Sequence, residues 1–191
     1  MKSTKNKINN TLILIVGILL FLLSYKFDVQ TNLFFKNAKF PIIDSVLGIA
    51  TNFDVVILIM LITPSIILYK KNKKNIYALW ASFIASIILA FIIKIIVLRQ
   101  RPTEVLTYPF ISIINYSFPS MHAMAVFSLL PLLVKCLPKH KFFWVIFAFL
   151  VAFSRVYFRF HFLSDVIFGV FVGYFVGAYV LELYENQSIL L

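Results

Sequence analysis

Long apolar runs separated by clusters of lysine constrain this chain more than any other feature. Hydrophobic residues fill 62% of its 191 positions, and the mean hydropathy is +0.97. Soluble domains are about 45–50% apolar, whereas apolar runs of this kind are typical of helices that cross a bilayer. We therefore predict an all-α integral membrane protein. Residues 1–191 are expected to form one domain, because a single helical bundle uses the whole length.

The apolar runs predict a bundle of six transmembrane helices. No small-x-small cleavage site follows the first run, so we interpret it as an uncleaved span rather than a signal peptide. Pro41 can open a short amphipathic helix, Pro41–Ala50, which is expected to lie at the interface before the second span. Glycines in the last run predict close helix packing. The predicted spans are Thr11–Ser24, Val55–Tyr69, Ile76–Leu98, Met121–Leu137, Phe142–Tyr157 and Phe162–Leu183.

The distribution of basic residues predicts an orientation in the membrane. The net charge of +11 comes largely from lysines between the apolar runs, so we expect it to face anionic lipid headgroups and not nucleic acid. With six spans, the N-terminus, the 70–74 loop and the 138–141 turn share one side. The positive-inside rule makes that side cytoplasmic. The 99–119 and 157–161 loops then face outward, in a multi-pass protein of the cell membrane.

Three polar clusters lie at the outward ends of these spans. Ionisable side chains at membrane depth cost roughly 2.5–3.5 kcal/mol each on insertion scales, which makes them functional candidates. The clusters are Lys94 with Arg101-Pro102, then Pro119-Ser120-Met121-His122, then Ser154-Arg155 with His161 and Asp165.

The third cluster contains a histidine and an acid four residues apart. On a helix, His161 and Asp165 would share one face. A carboxylate one turn from an imidazole can hold one ring nitrogen protonated and leave the other free to attack or bind. The alternative interpretation is a satisfied polar pair at the end of a helix.

Together, the clusters supply the groups that a tetrahedral oxyanion requires. Two imidazoles, three cations and the start of a helix capped by Ser120 suit a phosphate. One histidine can attack phosphorus and the other can protonate the leaving oxygen. No cluster of cysteines or carboxylates offers a metal site, so neither a metal nor another cofactor is expected. Taken singly, Lys94 could be a snorkelling anchor, Ser120 a plain cap and His122 an interfacial ring.

In order and spacing, the clusters resemble the signature of the type 2 phosphatidic acid phosphatase superfamily. That signature reads Lys-x6-Arg-Pro, Pro-Ser-Gly-His and Ser-Arg-x5-His-x3-Asp, and the resemblance extends from Pro41 to about Gly177. It implies six transmembrane helices, no metal and a phosphohistidine intermediate. It makes His161 the nucleophile, Asp165 the residue that orients it, and His122 the general acid. The phosphate oxygens would be held by Lys94, Arg101, Ser120 and Arg155.

One position departs from the family pattern. Met121 stands where the family usually has glycine, whose backbone N–H binds phosphate. Methionine keeps this N–H but narrows the site and prefers a negative φ.

The resemblance implies a membrane phosphatase with an outward-facing site. Expected substrates are polyprenyl diphosphate, phosphatidylglycerol phosphate, phosphatidate or phosphorylated lipid A. The alternative is a lipid phosphotransferase that passes the same phosphoryl group to a hydroxyl. Vanadium-dependent haloperoxidases share the anion site but are soluble. A membrane channel or assembly factor with a decayed site is the non-enzymatic alternative, and only Met121 favours it.

Overall fold

The computed structural model describes residues 2–38, 40–103 and 112–189, with side chains except at 2–10, 112–113 and 187–189. All regular structure in these ranges is helical. A π-helical turn, Leu58–Ile62, joins α4 to α5, and 3-10 turns occupy Ser112–Asn115 and Pro138–His140. The α-helices are α1 (Lys2–Lys26), α2 (Asp28–Asn37), α3 (Pro41–Ala50), α4 (Phe53–Ile57), α5 (Thr63–Lys71), α6 (Lys74–Val97), α7 (Met121–Cys136), α8 (Lys141–Tyr157) and α9 (Leu163–Ile189).

The described residues contain four or five candidate membrane spans, so the predicted count of six is not confirmed. The bend between α1 and α2 is 59°, and the two helices are long and apolar enough to cross a membrane only when taken together, as a broken span or a re-entrant loop. Helix α7 has 16 residues, or about 24 Å of helix, which is less than the hydrocarbon thickness of about 30 Å. The four unbroken candidates are Phe53–Lys71, Lys74–Val97, Pro138–Tyr157 and Leu163–Asn186.

Helix α7 is enclosed by its neighbours. It packs most extensively against α9, and then against α6 and α8. Ten of its side chains between Ala123 and Leu133 are buried, and a helix that is apolar on all sides belongs in a core. The buried Ser128 hydroxyl donates a hydrogen bond to Ala125 O at 2.8 Å. This burial brings the start of α7, with Met121 and His122, into the middle of one end of the bundle.

Glycines spaced four apart allow α9 to lie directly against α7. A Cβ at Gly169 would lie 2.9 Å from the carbonyl oxygen of Ser120. A Cβ at Gly173 or Gly177 would collide with the backbone of Met124 or Ser128. This agrees with the packing expected from small residues in transmembrane helices, and it brings the first turn of α9 next to the first turn of α7.

We expect Gly177→Ala to destabilise the protein. The added methyl group meets backbone, which cannot move aside as a side chain would, and overpacking of this kind costs about 1–3 kcal/mol. Thermal unfolding in detergent measures the effect, with Gly48→Ala as the matched control, because a Cβ there meets only the ring of Phe158 at 3.9 Å. Equal melting temperatures for the two variants would contradict this description of the α7–α9 contact.

Candidate active site

A cavity of about 480 Å³ lies beside the start of α7. Its volume is in the range of small-molecule binding sites, about 300–1,000 Å³. The polar residues of its lining are Asn52, Lys94, Arg101, His122, Arg155 and His161. The other lining residues are Gly48, Phe53, Ile114, Met121, Phe158 and Phe160.

Six of the eight residues predicted for the site line this cavity, and Ser120 and Asp165 do not. Both of these are fully buried. Ser120 Oγ accepts a hydrogen bond from Ala123 N at 3.5 Å, which makes it the N-cap of α7. Ser120 N donates to the carbonyl oxygen of Asp165 at 3.2 Å. These two residues therefore join the starts of α7 and α9 behind the cavity.

Met121 begins α7 without a positive φ. Among the described non-glycine residues, only Leu98 and Arg159 have one. The substitution of methionine for glycine therefore brings no backbone strain at this position. Its effect is expected in the cavity, because Met121 is part of the lining.

His161 and Asp165 lie together, although not on one helix. His161 precedes α9, and Asp165 is in the first turn of that helix. The carboxylate turns back, because Asp165 Oδ2 accepts a hydrogen bond from Phe162 N at 2.9 Å, as the third residue of a helix does in a capping box. His161 Nδ1 lies 3.7 Å from the same oxygen. His161 Nδ1 has no hydrogen-bond partner among the described residues.

Lys94 and Arg101 hold the backbone that surrounds the cavity. Lys94 is 1% exposed, and its Nζ donates to the carbonyl oxygen of Tyr116 at 2.5 Å. Arg101 donates to three carbonyl oxygens, at 2.9–3.0 Å, which belong to Ile114, Asn115 and Phe160. Both cations therefore face the cavity while they fix the segments on either side of it.

Arg155 connects α8 with α3 and with His122. Its Nη2 donates to Thr51 O at 2.9 Å and to Thr51 Oγ1 at 2.6 Å. Its Nη1 lies 3.2 Å from His122 Nε2. Because a guanidinium can only donate, this histidine nitrogen accepts, and we assign the ring proton of a neutral His122 to Nδ1. The ring of His122 packs edge-on against Phe53, with centroids 4.8 Å apart.

Burial lowers the pKa of His161 from 6.5 to about 4, and the positive charges of Arg101 and Lys94 act in the same direction. The nearby Asp165 acts in the opposite direction but does not outweigh burial. His161 is therefore a free base at neutral pH, and a histidine must be in this form to act as a nucleophile.

Sequence reasoning missed Arg99 and Asp28, which contact the first turn of α9. Arg99 donates to Asp165 Oδ1 at 2.6 Å and to Asp28 Oδ2 at 2.7 Å. Each is an ionisable residue at the edge of an apolar run, which is the signal that identified the other candidates. Their 71-residue separation leaves no local pattern that could have paired them.

Comparison with known proteins assigns the fold and the family. The family model of the PAP2 superfamily matches residues 75–189, more than half of the chain. A similar solved structure is the first transmembrane PAP2 type phosphatidylglycerolphosphate phosphatase from Bacillus subtilis, with a TM-score of 0.71 and 20% identity over 90% of this chain and 96% of that one. Aquifex aeolicus LpxE gives a TM-score of 0.64 and 22% identity over 81% and 94%. At these identities the likeness concerns the fold. Comparison with curated proteins gives no match.

We expect His161 to titrate well below the usual value for histidine. Spectra of ¹⁵N-histidine-labelled protein, with His161 assigned by its absence in His161→Asn, should give a midpoint near 4 rather than 6.5. The cause is burial, so the ring stays neutral down to that pH and becomes cationic only below it. A midpoint near 6.5 would show that the ring is hydrated.

Proposed function

Since the chain belongs to the PAP2 superfamily, whose members are phosphatases, we propose that it hydrolyses the phosphate ester or diphosphate of a membrane lipid without a metal. The observation that carries this proposal is the cavity that joins His161, His122 and three cations to an apolar wall. No group of three or more His, Cys, Asp or Glu side chains within the described ranges is arranged to hold a metal. The positive charge that a phosphate needs is present as Lys94, Arg101 and Arg155.

In the proposed reaction, His161 Nε2 attacks phosphorus while the bond to the leaving oxygen breaks. His122, protonated when substrate binds, donates its proton to that oxygen. Water then attacks the phosphohistidine, the P–N bond breaks, and His122 accepts the proton of the water. The three cations stabilise the charge on the equatorial oxygens in both steps. Arg155 must exchange its contact with His122 for one with phosphate, which frees His122 Nε2 for the leaving group.

A lipid substrate fits the apolar part of the cavity. Gly48, Phe53 and Phe158 form a wall next to the cations. Gly48 lies on α3, where Ile42 and Ile49 are 81% and 72% exposed and so are available to lipid. The name of the Bacillus protein makes phosphatidylglycerol phosphate the first candidate to assay. Polyprenyl diphosphate and phosphatidate come next.

Replacing each histidine by alanine should affect activity differently, depending on the leaving group of the substrate. We expect His161→Ala to abolish hydrolysis of every substrate, because no covalent bond can form. His122→Ala should retain hydrolysis of p-nitrophenyl phosphate, whose phenolate leaves without protonation. It should lose most lipid phosphatase activity, since general acid catalysis contributes roughly 10²–10⁴-fold. Phosphate release by the purified protein in excess EDTA measures both effects.

The same assay can contradict each part of this proposal. Activity that disappears in EDTA and returns with Mg²⁺ would overturn metal independence. A phosphoenzyme that persists in His161→Ala and is absent from His122→Ala would reverse the two roles. Phosphoryl transfer to an added alcohol, in place of phosphate release, would indicate the phosphotransferase.

Narrowing the apolar wall should impair the lipid reaction selectively. We expect Gly48→Leu to fill space over Phe158, to raise KM for a lipid phosphate, and to leave p-nitrophenyl phosphate hydrolysis little changed. Ser45→Leu adds the same side chain to an exposed position of α3 and is the matched control. Equal loss with both substrates would indicate that the alkyl chain does not lie against Gly48.

We further propose that the cavity faces the extracytoplasmic side of the cell membrane. The site lies where α6 and α8 end and α7 and α9 begin, whereas the lysine-rich turns around Lys70–Lys74 and Pro138–Lys141 lie at the other ends of those helices. The positive-inside rule makes those turns cytoplasmic.

Cysteine labelling of intact cells tests this orientation. Thr107, in the outer loop, lies outside the described residues, so the exposed Lys36 on α2 serves as the outer reporter. In a Cys136→Ser background, Lys36→Cys should react with a membrane-impermeant maleimide, and Asn72→Cys should react only after permeabilisation. The reverse pattern would place the site in the cytoplasm.

A further inference from the structure

A network of two buried carboxylates and the half-buried Arg99 joins three segments of the chain next to His161. Arg99, just past the end of α6, donates from Nη1 to Asp165 Oδ1 at 2.6 Å and to Ser164 Oγ at 2.8 Å. Its Nη2 donates to Asp28 Oδ2 at 2.7 Å. The exposed fractions of the Asp28 and Asp165 side chains are 4% and 0%. One cation therefore serves two buried carboxylates.

Asp28 also contacts the start of α9 directly. Its Oδ1 accepts a hydrogen bond from Ser164 N at 2.9 Å, and its Oδ2 accepts one from Ser164 Oγ at 2.6 Å. A carboxylate on the N–H groups of a first helical turn stabilises that turn. Asp28, at the start of α2, thereby fixes the turn that carries Asp165.

The carboxylate of Asp165 is held at both oxygens. Arg99 holds Oδ1, while Oδ2 accepts hydrogen bonds from Phe162 N at 2.9 Å and from the Ser117 hydroxyl. Oδ2 is also the oxygen nearest to His161 Nδ1. Removing Arg99 would release Oδ1 and leave Asp28 and Asp165 as two buried anions without their shared cation. The orientation of the carboxylate toward His161 therefore depends on Arg99.

The guanidinium group is well suited to this task. Its carbon lies 4.0 Å from the centre of the Phe162 ring and 5.3 Å from that of Tyr25, so two aromatic rings restrict its movement. The planar guanidinium can donate to two carboxylates from two different nitrogens, whereas a lysine ammonium group cannot reproduce this geometry. Arg99→Lys would keep the charge but lose this arrangement.

We propose that Arg99 is a positioning residue that acts on His161 through Asp165, and that Asp28 completes the arrangement from the N-terminal helices. This inference rests on the proposed function, because it concerns the same histidine. With Asp28, the proposed site includes a residue outside the range 75–189 that matches the family model. Asp28 shares the charge of Arg99, so that the guanidinium does not pair with Asp165 alone and weaken the negative charge that faces the imidazole.

A double-mutant cycle tests the dependence on Asp165. Arg99→Gln should lower kcat about 10–100-fold, by analogy with the loss seen when the hydrogen-bonding partner that orients a metal-binding histidine is removed. KM should change little, because Arg99 is not among the lining residues. In an Asp165→Asn background the same substitution should change kcat by less than about two-fold, whereas independent effects would multiply. Arg99→Lys should recover part of the activity, and Asp28→Asn should show a smaller loss.

Arg159→Gln is the matched control. Arg159 also contacts α2, where its Nε donates to Asn32 Oδ1 at 2.6 Å, whereas the hydrogen bonds to the Asp165 carboxylate come from Arg99, Ser117 and Phe162. Its loss removes an arginine and a contact with α2 without disturbing the carboxylate. We expect kcat within about two-fold of the wild type, because the hydrogen bonds that orient the Asp165 carboxylate remain in place.

The ¹⁵N signals of His161 give a readout that does not require activity. The neutral ring of the wild type should carry its proton on Nδ1, facing Asp165. Arg99→Gln should shift population toward the Nε2 tautomer, and Arg159→Gln should leave the signals unchanged. Identical His161 signals in the wild type and Arg99→Gln would overturn the inference, as would multiplicative losses of kcat. If the wild type hydrolyses no lipid or aryl phosphate, the proposed function fails, and the His161 signals still decide whether Arg99 positions the ring.

Discussion

The requirement that every buried charge has a partner organises this protein. The cations around the cavity lie in an apolar bundle, where an unpaired polar or charged group costs several kcal/mol. Lys94 and Arg101 meet this requirement with backbone carbonyl oxygens, Arg155 with Thr51, and Arg99 with two carboxylates. The contacts that neutralise these groups also fix the segments around the cavity. The same contacts therefore stabilise the fold and determine the shape of the site.

The close contact of α7 with α9 determines where the two histidines meet. Glycines on α9 let its backbone lie against that of α7, and Ser120 and Asp165 join the two first turns by a backbone hydrogen bond. His122 and His161 then both line the cavity. Helix α3 closes a third side through Gly48 and is tied to α8 by Thr51 and by a hydrogen bond from Tyr157 to Asp44 at 2.5 Å.

Much of this arrangement could be predicted from the sequence. Apolar runs indicated a helical membrane protein, and Pro41 and Ser120 marked the helix starts that the structure has. Motif spacing selected six residues that line one cavity. The number of spans was less accessible, because the hydropathy of Met121–Cys136 does not distinguish a helix enclosed by protein from one that crosses lipid, and its length of 16 residues is marginal.

The sequence by itself determined the class of the protein and most of the polar groups around the cavity, since residue type and short-range spacing are properties of the chain alone. Only the tertiary structure decided which groups touch. In the folded protein Ser120 caps α7 behind the cavity. Arg155 contacts Thr51 and His122, and Arg99 pairs with Asp28 and Asp165. These contacts join segments that are distant in the chain. Their partners follow from how the helices pack, and no local pattern encodes that packing.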